Sequence, residues 1–280
     1  MPELPEVETV KETLKRNILG KTIKNVEVFY EPIVEYPSVE EFKKKLEGQT
    51  IKDLSRRGKW IEFILDDYIL LSHLRMEGKY YYRKVGDKKE KHQHVFFNFT
   101  DGISLRYVDV RKFGKMWLTT KEELDSIKPI KELGLEPWDE KLTISYLKEK
   151  YKDKKIPIKT CILDQGIITG IGNIYADEIL FLSKIDPFKI PKDLKKGELQ
   201  GIIDNTRKVL ENAIKKGGTT IRSYTSEEGV TGLFQNDLFV HQREGEKCLT
   251  CGSIIVKTKI NGRGTYYCPK CQRVKKWMEL

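Results

Sequence analysis

Cys248-Leu-Thr-Cys251-Gly-Ser-Ile-Ile-Val-Lys-Thr-Lys-Ile-Asn-Gly-Arg-Gly-Thr-Tyr-Tyr-Cys268-Pro-Lys-Cys271 sets two Cys-x-x-Cys pairs sixteen residues apart near the end of a 280-residue chain. Two tight knuckles supply four thiolates, a closed tetrahedral set that suits one structural Zn²⁺ and leaves no open position for catalysis. Between the pairs, residues 254–259 and 264–267 alternate like strands, and Asn261-Gly262 is a hairpin turn. The element reads as a β-hairpin zinc ribbon, too small to fold without its metal. Its turn carries Arg263 to an exposed tip beside Lys257 and Lys259, where an arginine serves either phosphate contact or plain solvation. The fifth cysteine, Cys161, stands apart and is expected to be buried. Cysteines spaced in this way indicate a metal in a reducing compartment rather than a disulfide scaffold.

Upstream of the ribbon the pattern is helical from residue 142. Gly166-Ile-Ile-Thr-Gly-Ile-Gly-Asn173 is a glycine-rich turn feeding a helix, with Asn173 as its expected N-cap and backbone N–H groups suited to a phosphate. It is not a nucleotide loop, because no Gly-Lys-Ser/Thr follows and no βαβ unit precedes it. A second helix over 195–216 ends at Gly217-Gly218. Residues 222–234 are polar and aperiodic and read as a mobile loop. Two prolines and a glycine between 128 and 137 separate this half from a different pattern. There, residues 2–18 read as a helix ended by Gly20, followed by β-rich runs at 22–29, 51–65, 68–83, 94–100 and 103–107, with a turn at Asp101-Gly102. The expected fold class is α+β: an N-terminal antiparallel β-sandwich with a leading helix, then a helical module and the ribbon. Expected bounds are 2–127, a linker at 128–139, 140–235 and 239–273.

Charge points to the partner. The chain has 52 Lys+Arg against 42 Asp+Glu, a net charge of +10 that favours a polyanion. Of the basic residues 40 are Lys and 12 Arg, so Arg56, Arg57, Arg75, Arg106, Arg111, Arg222 and Arg263 are candidates for places that need a planar fork. No run of apolar residues is long enough to span a bilayer, and the first ten residues hold three acids and no basic segment. A membrane span and a signal peptide are both excluded, which leaves a soluble intracellular protein.

Met1-Pro-Glu-Leu-Pro-Glu-Val-Glu-Thr9 carries a second chemical signal. Methionine is normally trimmed before proline, which exposes a secondary amine at Pro2. A terminal amine with a pKa near 8 is partly neutral and nucleophilic at physiological pH, and Glu3 and Glu6 stand beside it to move protons. Proline and glutamate are equally what an ordinary helix start prefers, so the residues alone leave both readings open. Met76 and Phe113, on their own context, read as core strand positions.

Taken in order, Pro2-Glu-Leu-Pro-Glu-Val-Glu-Thr9, Arg56-Arg-Gly-Lys-Trp60, His73-Leu-Arg-Met76, Asp109-Val-Arg-Lys-Phe-Gly114, Leu133-Gly-Leu-Glu-Pro137, Gly170-Ile-Gly-Asn-Ile-Tyr-Ala176, Gly217-Gly-Thr-Thr-Ile-Arg222 and the ribbon closely resemble the bacterial formamidopyrimidine-DNA glycosylases over nearly the whole chain. The resemblance implies a bifunctional DNA glycosylase and AP lyase of base excision repair, with a helix-two-turns-helix module between sandwich and ribbon. Such an enzyme removes 8-oxoguanine and formamidopyrimidines through a Schiff base at Pro2 and cuts the strand by β- and δ-elimination. Glu3 is then the proton donor for base departure and ring opening, Lys59 the donor for β-elimination, Arg263 the group for δ-elimination and phosphate binding, and Glu6 a supporting carboxylate. Met76, Arg111 and Phe113 fill the gap left by the extruded base, His92, Lys154, Lys159 and Asn173 contact DNA, and Cys248, Cys251, Cys268 and Cys271 hold zinc. The implied partner is damaged double-stranded DNA, with no membrane, for a monomer in the cytoplasm.

Leu4 in the opening favours purine repair over the endonuclease VIII branch, which acts on oxidised pyrimidines. A non-catalytic zinc-ribbon protein that binds nucleic acid is the alternative of another class. The chain departs from the family pattern at His241-Gln242, where relatives usually show Tyr-Gly, and at Val110 and Lys112, where Pro and Arg are common. The first departure bears on how the ribbon docks.

Overall fold

A computed structural model describes residues 1–219 and 233–274 of the chain. The expected loop at 222–234 therefore lies outside the described residues up to position 232. The structure divides into two compact units, Met1–Lys131 with Gly217–Gly232, and Glu132–Lys216 with Leu233–Leu280.

The first unit opens on helix α1, Leu4–Ile18, which starts at a proline-containing turn and buries Leu4, Val7, Leu14 and Ile18 at helical spacing. Strand β1 (Ile23–Val28) follows, then β2 (Val34–Tyr36) and the short helix α2 (Val39–Leu46), whose Ser38 cap accepts the Glu41 N–H at 3.3 Å. The rest of the unit is β3 (Asp53–Arg57), β4 (Trp60–Ile64), β5 (Tyr68–His73), β6 (Lys79–Lys84), β7 (Gln93–Phe99), β8 (Ile103–Val108), β9 (Lys115–Thr120) and a last turn of helix, α3 (Lys128–Lys131). These strands form a five-stranded sheet in the order β2-β9-β5-β4-β3 and a four-stranded sheet in the order β1-β7-β8-β6. Alternate residues of each sheet meet in one core: Leu54, Ile61, Phe63, Leu70, Met116 and Leu118 from the first, Val26, Val95, Phe97, Phe99 and Leu105 from the second.

Several boundaries differ from the sequence reading. The run 51–65 is two strands, because Gly58 adopts a positive φ and turns the chain in two residues between the paired Arg57 and Trp60. The run 68–83 is also two strands, and they enter different sheets. The parallel pairing of β2 with β9 carries no local signal at all.

The second unit contains α4 (Ile144–Tyr151), α5 (Ile158–Ile162), α6 (Asn173–Leu182), the twenty-residue α7 (Lys196–Lys215) and a hairpin of β10 (Val256–Ile260) with β11 (Arg263–Tyr267). Two turns join α5 to α6. They are held by Gln165, whose amide donates to the Leu163 and Ile171 carbonyls at 2.9 and 2.8 Å while its oxygen accepts the Gly170 N–H at 2.9 Å. Among the described residues no helix is long and apolar enough to cross a membrane.

Candidate functional site

In the first unit Met1 is exposed and the residues that follow it are enclosed. Pro2, Glu3 and Glu6 are buried. Glu6 acts as a bracket: Oε2 accepts the Glu3 N–H at 2.9 Å, and Oε1 accepts the Thr219 N–H at 2.9 Å and its hydroxyl at 3.2 Å. Gly218, at φ +78, lies so close that a Cβ there would sit 2.7 Å from Glu6 Oε1. The Gly217-Gly218-Thr219 motif is thereby fixed to α1 by a carboxylate that sequence reasoning could name only as supporting. Lys59 occupies the turn between β3 and β4 and is nevertheless buried. Arg56 steadies that turn, giving Nε to Glu8 at 2.7 Å and Nη1 to the Gly58 carbonyl at 2.9 Å. Burial lowers the amine of residue 1 below the ordinary terminal value; Lys59 pushes the same way, and Glu3, Glu6 and Glu77 oppose it. A setting that favours a neutral amine, with carboxylates and a lysine around it, suits a nucleophilic nitrogen.

Two loops of the same unit carry the expected wedge residues. Arg111 and Phe113 are exposed, with the guanidinium 4.8 Å from the Phe113 ring. Asp109 builds their loop from beneath: Oδ1 accepts the Arg111 N–H at 3.0 Å, and Oδ2 accepts those of Phe113 and Gly114 at 2.9 and 2.8 Å. The Asp109 N–H in turn donates to the carbonyl of His92, itself at φ +66. Met76 is half-buried on the turn after β5, where the Arg75 N–H donates to His73 Nδ1 at 3.0 Å. Neither Met76 nor Phe113 belongs to the core, so the expectation of core strand positions from their sequence context does not hold. Arg106 is buried and uses its fork inward, on the carbonyls of Asp87 and Lys88 at 2.8 and 3.2 Å and on Gln93 Oε1 at 3.1 Å, shaping the lysine-rich loop before His92.

In the second unit, Gly172 and not Asn173 caps α6, because Gly172 has the extended backbone and Asn173 is already the first helical residue. The Asn173 side chain donates from Nδ2 to the Gly264 carbonyl at 2.9 Å, and its buried Oδ1 has no partner among the described residues. Lys159, expected at DNA, is instead fully buried. Its ammonium pairs with Asp177 and donates to the Asn173 carbonyl at 3.2 Å, and the other Asp177 oxygen meets His241 Nδ1 at 2.7 Å. A charge so enclosed needs its partners to be tolerated at all, so Lys159 stands behind Asn173 rather than facing a ligand. The neighbouring Glu178 accepts three successive N–H groups, from Phe239, Val240 and His241, at 2.8, 3.0 and 2.9 Å. His241 also packs its ring against Tyr266 at 4.9 Å, so this departure from the family pattern is built into the seat of the ribbon. Lys154 is half-exposed beside Asp164 at 3.3 Å. Asp177 and Glu178 went unmarked in the sequence; two adjacent acids inside an otherwise apolar helix were the available signal.

At the ribbon, Asn261 and Gly262 both have positive φ and close a two-residue turn that leaves Arg263 exposed. The Asn261 amide donates to the Thr160 hydroxyl at 2.9 Å. The four Sγ atoms of Cys248, Cys251, Cys268 and Cys271 all lie within 4.8 Å of one another, with Cys248–Cys271 at 3.8 Å and Cys251–Cys268 at 3.4 Å. Tetrahedral Zn²⁺ with Zn–S bonds of about 2.3 Å requires S···S separations of about 3.8 Å, so the set fits one zinc ion. Phe181, Val240 and Ile255 pack around the buried Cys248 and Cys268, which makes the site structural and closed.

Comparison with known proteins agrees with this geometry. Residues 1–116 match the formamidopyrimidine-DNA glycosylase N-terminal domain, 133–225 its H2TH domain, and 245–274 a zinc finger found in FPG and IleRS. The chain is 48% identical over 273 residues to a formamidopyrimidine-DNA glycosylase of Oceanobacillus iheyensis, covering 97% of this chain and 98% of that one. It is 45% identical over 274 residues to that of Geobacillus kaustophilus, covering 98% of this chain and all of that one. Among solved structures, Lactococcus lactis Fpg in complex with DNA containing an abasic site matches with a TM-score of 0.90 at 42% identity, over 97% of this chain and 99% of that one. A complex of the same enzyme with DNA containing N7-benzyl-Fapy-dG also gives 0.90 at 42%, over 97% and 100%. With its domains matched in order and its whole length shared with these enzymes, the chain belongs to the formamidopyrimidine-DNA glycosylase family.

Proposed function

We propose that this protein is a bifunctional glycosylase and AP lyase that excises oxidised purines, 8-oxoguanine and formamidopyrimidines, from double-stranded DNA. The observation that carries the reading is the burial of Pro2 at the chain start together with Glu3, Glu6 and Lys59. Removal of Met1 turns the Pro2 nitrogen into a secondary amine among these groups. Its nitrogen bonds to the sugar C1′ as the C1′–N bond to the damaged base breaks, the electron pair leaving with the base and Glu3 supplying the proton. Glu3, now a carboxylate, takes the N–H proton of the bonded amine and passes it to O4′ as the C1′–O4′ bond breaks, and the nitrogen lone pair closes an iminium that keeps its positive charge, since no N–H remains to lose, and so acidifies C2′. Loss of that proton expels the 3′ oxygen, with Lys59 as donor; δ-elimination of the other phosphate follows with help from Arg263. Met76, Arg111 and Phe113 occupy the space left by the extruded nucleotide, and His92, Lys154 and Asn173 meet the backbone. Zinc folds the ribbon that presents Arg263 and takes no part in bond changes. The enzyme acts as a monomer in the cytoplasm, with domains at 2–127, 140–235 and 239–273.

Borohydride reduction during reaction with an 8-oxoguanine duplex tests this. The expected product is a covalent adduct at Pro2 of the natural N-terminus, identified by peptide mass spectrometry and lost in Pro2→Gly. Undiminished trapping at any other residue overturns the mechanism. Greater turnover of an oxidised pyrimidine than of 8-oxoguanine overturns the substrate class.

A further inference from the structure

Met76 and the Arg111–Phe113 pair stand on separate loops, yet both loops rest on one side chain. Tyr107 of β8 is fully buried. A Cβ added to Gly78, at the end of the Met76 turn, would run into the Tyr107 hydroxyl and lie 2.9 Å from its Cζ; one added to Gly114, at the end of the other loop, would do the same at 2.6 Å. Neither glycine has a positive φ. The sign of φ therefore does not demand glycine at either place; the close approach of the phenol does so at Gly114, and at Gly78 the phenol does so together with the Leu74 carbonyl, 2.7 Å from the added Cβ. The same hydroxyl lies 3.5 Å from Asp109 Oδ2, the oxygen that accepts the Phe113 and Gly114 N–H groups. The ring is braced edge-on by Tyr80 at 5.3 Å, and the Tyr80 hydroxyl donates to Ser72 at 2.7 Å. Both loops also hold a non-glycine residue in the left-handed region, Arg75 at φ +52 and Lys112 at φ +58, a conformation that needs restraint from outside the loop.

We propose that Tyr107 is a positioning residue: it is the common stop that fixes the spacing between Met76 and the Arg111–Phe113 pair, so that the three side chains enter the duplex as one unit. The inference rests on the function proposed above. If it holds, Tyr107 matters for extrusion of the base and not for the chemistry that follows.

Tyr107→Phe keeps the ring and removes the hydroxyl. Single-turnover excision of 8-oxoguanine should slow by about tenfold in a fully paired duplex, the weight of roughly one buried hydrogen bond, and recover to within about twofold of wild type when flanking mismatches leave the lesion already unpaired. Gly114→Ala, which pushes one loop off the phenol, should show the same split. Equal slowing on both substrates would mean a general structural role and overturn the proposal, as would no slowing on either. Failure of the wild-type protein to release 8-oxoguanine from either substrate would instead strike the proposed function.

Discussion

His73 sits on β5 with its ring edge-on to Trp60 at 4.8 Å and its Nδ1 accepting the Arg75 N–H at 3.0 Å. It is only 8% exposed, and burial, with Arg75 and Lys59 nearby, lowers its pKa from 6.5 to about 3. The folded ring therefore stays neutral where the unfolded chain takes up a proton. Its contribution is intact above pH 6.5, falls as pH drops below that value, and levels off near pH 3. The slope between these limits is about 1.4 kcal/mol per pH unit, so a change from pH 7 to 5 costs about 2 kcal/mol through this residue. Urea unfolding of wild type and His73→Asn at pH 7, 6 and 5 isolates the effect, because asparagine offers an acceptor to the Arg75 N–H without titrating. Glu8, whose carboxyl is held low against burial by hydrogen bonds from Lys11 and Arg56, and His94, lowered by burial, titrate in both proteins and cancel. Stability of the wild type should fall faster with acid by about 2 kcal/mol over the range. Parallel pH dependences would refute the reasoning, since they would mean that His73 is protonated in the folded state or solvated there.

Asp177→Asn leaves the Lys159 ammonium buried without its carboxylate and should cost about 3–5 kcal/mol in urea unfolding, with Lys159→Met in the same chain restoring much of it; no loss would show that solvent reaches the lysine. Gln242 holds φ +62, a conformation that favours glycine, so Gln242→Gly should stabilise the second unit by about 1 kcal/mol, read as a rise in urea midpoint. Metal analysis should find one zinc per chain, and Cys268→Ser should abolish binding to lesion DNA while the far-ultraviolet signature of the β-sandwich survives. Gly218→Ala meets both a positive φ and the Glu6 carboxylate, so it should depress adduct formation well below that of Gly197→Ala, whose added Cβ faces open space.

Legibility in the sequence followed locality. The ribbon could be read entire because its ligands, its Asn261-Gly262 turn and its tip lie within two dozen residues, and the leading helix because its apolar spacing and closing Gly20 are equally local. The strand runs were found and their ends were not: a two-residue turn at Gly58-Lys59 leaves no polar gap between Arg57 and Trp60, and nothing near Met76 announces that β5 and β6 part into different sheets. Side-chain roles failed in the same way wherever they depended on distant partners. Lys159 looks like any basic residue near a phosphate-binding turn until Asp177, 18 positions away, pairs with it, itself held by His241 a further 64 positions on.

The arginines sharpen the point. In a chain whose charge is carried by lysine, arginine was expected where a fork is needed, and the structure spends two of those forks on its own backbone, Arg56 on the Gly58 carbonyl and Arg106 on the loop before His92; Arg207, not among the candidates, does the same on the carbonyls of Pro137 and Asp139 at 3.0 and 3.2 Å. A guanidinium can satisfy several carbonyls from one buried plane, which an ammonium on a flexible stem cannot do. The inward arginines thus shape the loops that carry Lys59 and His92, while Arg111 and Arg263 are left exposed. Residue type told that a fork was required; only the fold told which way it points. The loops that carry Lys59, His92, Met76 and Phe113 are accordingly held by residues the loops do not expose: Arg56 on the Gly58 carbonyl, Arg106 on that of Asp87, Asp109 on the Phe113 and Gly114 N–H groups, and the Tyr107 phenol against Gly78 and Gly114.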